Sequence, residues 1–283
     1  EHRIFTSKVT PDQLQLQMIG YRPRRRAVVK VSYGSEVIYV KVLRARLFDD
    51  VVSRHLVLAN AGLPVAPILG TTEDDLLILA ELPGRPLAKA VFDPVEPCSA
   101  KALIDLLDMM PPRVSELPRR PPWSDAVAHY ARMIAQSMPA LETRLDWLVE
   151  QIDGGLYSLP PGDEATHGDF HEGQLHVSSG RICGLLDTDT LGPGRRADDL
   201  ACLVAHLSTI QRMNSAQETR AHALIRRWVP VFDERVDPVE LRLRAAAVII
   251  SLATGPFRSQ EPDWERETAI MVGSAEALVR QVI

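Results

Sequence analysis

The chain has 283 residues, of which 46% are hydrophobic and 24% charged, and a net charge of -5. This is an ordinary globular composition, long enough for one large domain or two lobes, and its charge gives no electrostatic reason to expect a nucleic-acid partner. No apolar run approaches the roughly 20 residues of a membrane helix, and no charged-then-apolar segment opens the chain as an export signal, so no membrane partner and a cytoplasmic location are expected. Cys98, Cys183 and Cys202 are odd in number and form no CxxC pair, which leaves neither a disulfide framework nor a zinc site and suggests reduced core residues. The sequence opens on Glu1 rather than Met, and its natural start is expected upstream.

In chain order, the first feature is a basic run, Arg22, Arg24, Arg25 and Arg26, which reads either as a solvated loop or as a phosphate contact. Residues 26–43 then form two β-branched-rich runs around Gly34 and Ser35, the pattern of a hairpin. Leu47, Val51, Val52, Leu56 and Leu58 recur at helical spacing over 46–61, and Gly62 with Pro64 ends that helix. A strand is predicted at 76–80, broken by Glu81-Leu-Pro-Gly84. Beyond it the character changes. Helical patterning covers 99–110, 123–137, 139–152, 197–212, 215–229, 237–253 and 263–282, with a proline-rich extended connector over 111–122. The expected fold class is α+β and two-lobed, with a β-rich nucleotide-binding lobe at 1–82, a helical catalytic and substrate lobe at 83–283, and the ligand between them.

One short β unit interrupts the helices: His167-Gly-Asp-Phe-His-Glu-Gly-Gln174, a run to Val177, a Ser-Ser-Gly180 turn, and Arg181 through Asp187. If Val177 pairs with Arg181, Gln174 falls opposite Gly184, and Asp169, Gln174 and Asp187 meet at the open end of the hairpin. Their hard oxygens suit Mg2+ held through a bound nucleotide better than zinc. Singly, each Asp reads as readily as a turn or cap, and His171 and His176 as surface or packing residues; the combination carries the signal.

His167-Gly-Asp-Phe-His-Glu-Gly-Gln174 resembles the HGDxxxxN catalytic loop of the aminoglycoside phosphotransferase and choline kinase-like family, whose fold is similar to that of protein kinases. Leu186-Asp187-Thr-Asp189 resembles the family's metal-binding Asp motif, and Gly192 through Ala201 resembles its GxGxxxxDLA continuation. Tyr39-Val-Lys41 and Glu81-Leu-Pro-Gly84 resemble the strand-three lysine and the inter-lobe hinge. The resemblance implies a protein-kinase-like fold and a small-molecule kinase that uses ATP or GTP and Mg2+. It implies that Asp169 accepts or orients the acceptor hydroxyl's proton, that Gln174 and Asp187 hold the metal, and that Lys41 pairs with the α- and β-phosphates. Glu81 and Leu82 would meet the base, Tyr39 would shape the nucleotide pocket or pack in the core, and His167 and Asp199 would brace the loop, although capping alone also accounts for Asp199.

The sequence departs from the pattern in three places. Gln174 stands where most of the family has Asn, which resembles the maltokinase-like branch and tilts the expected acceptor toward a sugar or amino sugar. The glutamate partner of Lys41 is missing, with Asp49 and Asp50 the acidic residues near the start of the helix, and Arg22–Arg26 replaces a glycine-rich loop. A nucleotide-binding pseudokinase stays open as a second reading. Protein-kinase activity is disfavoured, because no APE-like segment separates Asp187 from the helix at 197. Asp233, Glu234, Glu261, Asp263, Glu265 and Glu267 read as a pocket for a cationic acceptor or as a plain solvated face. The oligomeric state is not legible.

Overall fold

The computed structural model describes residues 10–24, 26–210 and 213–283. Its N-terminal region is an antiparallel sheet of β1 (Gln15–Arg22), β2 (Arg26–Tyr33), β3 (Glu36–Val42), β4 (Ile68–Thr71) and β5 (Leu76–Ala80), ordered β1-β2-β3-β5-β4. The predicted hairpin is β2–β3, closing with Tyr33 opposite Glu36 around Gly34 at φ +58°. Strand β1, not predicted from the sequence, pairs along β2 from Gln15↔Ser32 to Arg22↔Arg26. It is an edge strand whose Leu16, Met18, Ile19 and Tyr21 are all exposed, and its register shifts between Met18 and Gly20. Without a buried face the selection for alternation is lost, which is why the sequence did not mark it.

Helix α1 (Ala45–Asn60) crosses behind the sheet and buries Val51, Arg54, His55 and Leu58, one stripe at helical spacing. It stops where Gly62 takes φ +78° and Leu63 N–H donates back to Leu58 O (3.1 Å). After β5 the chain runs through Glu81–Gly84 into a two-residue strand β6 (Arg85–Pro86), which pairs with β8.

The remainder is largely helical: α2 (Leu87–Ala90), α3 (Ala100–Asp108), α4 (Val127–Ser137), α5 (Glu142–Leu156), α6 (Arg196–Ser208), α7 (Ser215–Asp233), α8 (Pro238–Leu252), α9 (Gly255–Arg258) and α10 (Trp264–Val279). Helix α8 is central, with Ala245 through Ile250 all buried, and α4, α5, α6 and α10 pack around it. Predicted ends shift by a few residues. The helix read over 197–212 gives up its helical geometry at Thr209, and positions 211 and 212 lie outside the described residues. The proline-rich stretch is not wholly extended; a 3-10 turn at Pro112–Glu116 interrupts it. The fold is α+β, with a β-sheet N-terminal region and a helical C-terminal region. Among the described residues no helix is long and apolar enough to cross a membrane.

Inserted in the helical part are β7 (Glu164–Thr166), β8 (Leu175–Ser178), β9 (Arg181–Leu185) and β10 (Gly192–Gly194), with β7 paired to β10 and β8 to β9. The register expected for β8–β9 is corrected. Ser178, not Val177, faces Arg181; Val177 faces Ile182, and His176 faces Gly184. A two-residue turn, Ser179 (φ +50°) and Gly180 (φ +76°), replaces the three-residue one, and the register shift between His176 and Val177 absorbs an extra residue on β9. Gln174 therefore sits beside Leu186, whose N–H donates to Gln174 O (2.8 Å), two residues nearer Asp187 than the expected Gly184.

Candidate active site

The catalytic-loop segment is fixed from below. Asp199 in α6, fully buried, accepts the His167 N–H (2.9 Å) and the Gly168 N–H (2.8 Å) on its two oxygens and lies 3.4 Å from the Arg196 guanidinium. Asp199 is thus not the helix cap that it could have been. Its neighbour Asp198 accepts the Arg195 N–H (3.3 Å) and pairs with Arg244 (2.6 Å), its carboxyl pushed up to about 6 by burial. Gly168 holds φ +79°, and a β-carbon there would come 2.6 Å from Thr190 O, so the loop passes closer to the Thr188–Thr190 turn than any other residue allows. His167, fully buried, donates from Nε2 to Leu186 O (2.9 Å), tying the loop to the end of β9.

Asp187 follows that strand in the left-handed region (φ +53°, ψ +61°), a conformation Asp tolerates better than most residues. This turns its carboxylate, with that of Asp189, toward the sheet of the N-terminal region. Two cations meet them. Arg26 at the start of β2 donates to both Asp187 oxygens (2.7 and 2.6 Å) and to Asp189 Oδ2 (2.5 Å). Lys41 lies 3.1 Å from Asp189 Oδ1 and 3.7 Å from Asp187 Oδ1. The pairing holds the Asp187 carboxyl well below the usual carboxylate range despite its burial, through the Arg26 hydrogen bonds and the charges of Lys41 and Arg26. The partner of Lys41 is thus Asp189, and not Asp49 or Asp50. Asp50 is held by Arg54 one turn on (2.9 Å to each oxygen), and Arg54, buried, also donates to Leu191 O. Helix α1 is thereby joined to the segment after Asp187 by an arginine on a backbone carbonyl rather than by an acidic residue on Lys41.

Tyr39 and Lys41 share one face of β3, with Lys30 and Val28 opposite them on β2. The Tyr39 ring packs on the small cluster of Leu43, Val51, Ala66, Leu77, Leu79 and Leu82, and its hydroxyl reaches Glu81 (3.4 Å). Glu81 is exposed and Leu82 buried. The hinge is clamped to the β8–β9 hairpin: His176 Nδ1 and Cys183 Sγ approach Pro83 O (3.1 and 3.4 Å), and a β-carbon on Gly84 would come 2.6 Å from Val177 O. Cys98 and Cys202 are buried and free, whereas Cys183 lies at this hinge and not in the core.

His171 stacks on His206 of α6 (centroids 4.1 Å apart, planes 7° apart), with Glu172 Oε2 3.8 and 4.0 Å from their Nδ1 atoms. Three potential ligands meet here, but a single ion cannot lie in both of two stacked parallel ring planes, so this is no preformed metal centre. A neutral imidazole has one acceptor nitrogen, and Gly173 N–H (3.1 Å to Nδ1) and the Gln174 side-chain amide (3.1 Å to Nε2) compete for it at His171. Which one wins decides whether the Gln174 carbonyl oxygen is free to face a cation.

Burial and the neighbouring His171 push His206 down to about 3 from an ordinary 6.5, so the folded state binds fewer protons there than the unfolded chain. The stability this represents is complete above the unfolded value and is lost as pH falls from about 6.5 toward 3. Glu172, pushed up to about 7 by burial, works the other way between 4.5 and 7. The two are separated by comparing variants: His206→Asn should flatten the acid-side loss of stability by up to about 1.4 kcal/mol per pH unit. Urea titrations of wild type and variant at pH 7, 6 and 5 check this, and parallel pH dependences would contradict it.

Thus the structure brings Lys41, Asp187 and Asp189 together and places Gln174 beside them through Leu186. Asp169 stands on the braced loop, half-buried. Sequence reasoning missed Arg26 and Asp189 as members of the cluster. A signal existed for the first: Arg26 alternates with Val28, which lies opposite Lys41, so both cations leave the same sheet face.

The model of a family described as phosphotransferase enzymes (APH) matches residues 24–235. Among curated proteins, the chain is 38% identical over 72 residues, 25% of its length, to an uncharacterized protein of Deinococcus radiodurans. It is 27% identical over 170 residues, 55% of its length, to an aminoglycoside 3'-phosphotransferase of Escherichia coli. It spans 21% and 61% of the lengths of those two relatives. Among solved structures it is similar to a thermostable mutant of aminoglycoside phosphotransferase APH(4)-Ia in ternary complex with ADP and hygromycin B. That likeness has a TM-score of 0.63 and 15% identity, over 94% of this chain and 93% of the other.

Proposed function

The chain belongs to the phosphotransferase enzyme family, and from that premise we propose that it is a small-molecule kinase. It moves the γ-phosphoryl group of a magnesium nucleotide, ATP or GTP, onto a hydroxyl of an aminoglycoside, sugar or amino-sugar-like acceptor. The observation that carries this is the meeting of two cations from the sheet, Lys41 and Arg26, with two carboxylates, Asp187 and Asp189, beside the loop that presents Asp169. Cations suited to phosphate and carboxylates suited to a hard metal ion, gathered beside a braced loop, support this reading.

The donor set fits Mg2+. Asp187 and Gln174 are the proposed ligands, both hard oxygen donors, with Asp189 adjacent; when bound, the ion neutralises charge on the phosphates. Asp169 is the proposed base that accepts or orients the acceptor hydroxyl's proton. Lys41 pairs with the α- and β-phosphates once it is released from Asp189. Tyr39, with Glu81 and Leu82, bounds the base-binding end, while His167 and Asp199 hold the catalytic loop still. Residues 1–82 form the nucleotide side and 83–283 the acceptor side, in a cytoplasmic protein. The aminoglycoside acceptors of the two named phosphotransferases support the acceptor class; so does the acidic character of α7's end and α10's start, although Asp233 there is already held by Arg242 (2.5 Å).

The non-catalytic alternative, a nucleotide-binding module, draws on Arg26 holding both oxygens of Asp187. A nucleotide-consumption screen with ATP and GTP against aminoglycosides, amino sugars, maltose-like sugars, choline and macrolides decides between them. A phosphorylated product is expected from one of these classes; nucleotide binding without turnover across the whole panel would favour the module.

A further inference from the structure

Between β1 and β2 the sequence reads Arg22-Pro-Arg-Arg-Arg26, with Arg24 at φ +58° and Arg25 outside the described residues. It has no glycine run, and Pro23 has no N–H to give, so it cannot present the row of backbone amides with which a glycine-rich loop covers phosphates. Arg26 leaves the same sheet face as Lys41, and it is drawn into the site rather than out to solvent: its side chain is 19% exposed. Its guanidinium forks onto Asp187, a planar two-point match that a phosphate group offers equally well.

The charges in the cluster balance. Arg26 and Lys41 face Asp187 and Asp189, one positive charge for each negative one. A divalent cation held by Asp187, with Asp189 adjacent, would balance the same negative charge, and the guanidinium would then be left beside the nucleotide's phosphates. Remaining on the carboxylates would set it against that cation at short range.

Building on the phosphotransfer reading above, we infer that Arg26 is a phosphate-binding residue of the nucleotide site. It exchanges its carboxylate contacts for the nucleotide's phosphates when Mg2+ is held at Asp187, and so supplies from a strand side chain what glycine-rich loops supply from their backbone. In the ligand-free state the same contacts hold the two neighbouring carboxylates in place.

The test measures binding rather than turnover: isothermal titration of Mg-ATP and Mg-GTP into wild type, Arg26→Gln and Arg26→Lys, with the melting of each unliganded protein recorded alongside. Losing a charged two-point contact should raise Kd for the tighter nucleotide by about tenfold or more in Arg26→Gln. Arg26→Lys, which keeps the charge but not the fork, should fall between it and wild type. Wild-type Kd in both variants would overturn the inference. So would tighter binding, which would make Arg26 only a competitor for the metal's ligands. If Arg26→Gln does not melt cooperatively, Arg26→Lys decides alone, a weaker Kd supporting the inference and an unchanged one overturning it. Wild type that binds neither Mg-nucleotide would remove the phosphotransfer reading together with this inference, whereas binding that is indifferent to Arg26 removes the inference alone.

Discussion

Asp169→Ala is expected to lower kcat by about 10²–10⁴ on the acceptor found in the screen, the usual contribution of a positioned general base, while leaving nucleotide binding nearly intact. Asp187→Ala is expected to do something different. A ligand that binds only the native state stabilises it by mass action, about 2.7 kcal/mol at a hundred times Kd, and Asp187→Ala should lose most of that gain from Mg-nucleotide. The quantity to compare is the shift on adding Mg-nucleotide, because Asp187→Ala also leaves Arg26 with Asp189 alone and lowers the unliganded melting temperature by itself. Thermal-shift series with and without Mg2+, run beside turnover, separate the two residues. Normal turnover by Asp169→Ala would end the assignment of Asp169 as base, and a full Mg-nucleotide shift in Asp187→Ala would end that of Asp187 as ligand.

The second large effect falls on the fold. Asp199→Ala removes the acceptor of two buried N–H groups and the carboxylate beside the buried Arg196, which keeps its hydrogen bond to Leu107 O (3.0 Å). Burial raises the Asp199 carboxyl while Arg196 and the two amides lower it, so the site is built around an acceptor. Arg196 also keeps Asp108 at 3.4 Å, so the loss falls chiefly on the two N–H groups left without an acceptor, about 1–3 kcal/mol each. Urea unfolding should show that loss, and turnover should fall with it as the segment carrying Asp169 loosens. A variant within about 1 kcal/mol of wild type would show that the loop is held by other contacts, such as Thr190 on His167 O (2.8 Å).

The β2–β3 hairpin, α1 and most of the later helices were legible because local periodicity and turn chemistry decide them. The chain order of the catalytic-loop segment, the Asp187 segment and the Gly192–Ala201 segment was legible in the same way, since each is written in contiguous residues. Two strands of the N-terminal sheet escaped for local reasons. β1 has exposed apolar residues on an edge, and β4 is a four-residue strand with a register break between Ile68 and Gly70. The β8–β9 register was misjudged because the turn takes two residues rather than three and a bulge adds one more that no alternation announces.

What only the tertiary structure decided is which charges meet. Lys41 could have been served by Asp49 or Asp50 a turn away in sequence; it meets Asp189, 148 residues on, and Arg26 meets Asp187, 161 residues on. Ion pairing depends on distance and burial in the folded chain, and these are set by how the sheet packs over the end of β9. The sequence alone therefore determined which residue types the site has and in what order. The fold determined that Arg54 draws Asp50 away, that Asp187 turns into the left-handed region, and that the two cations and two carboxylates become one balanced cluster.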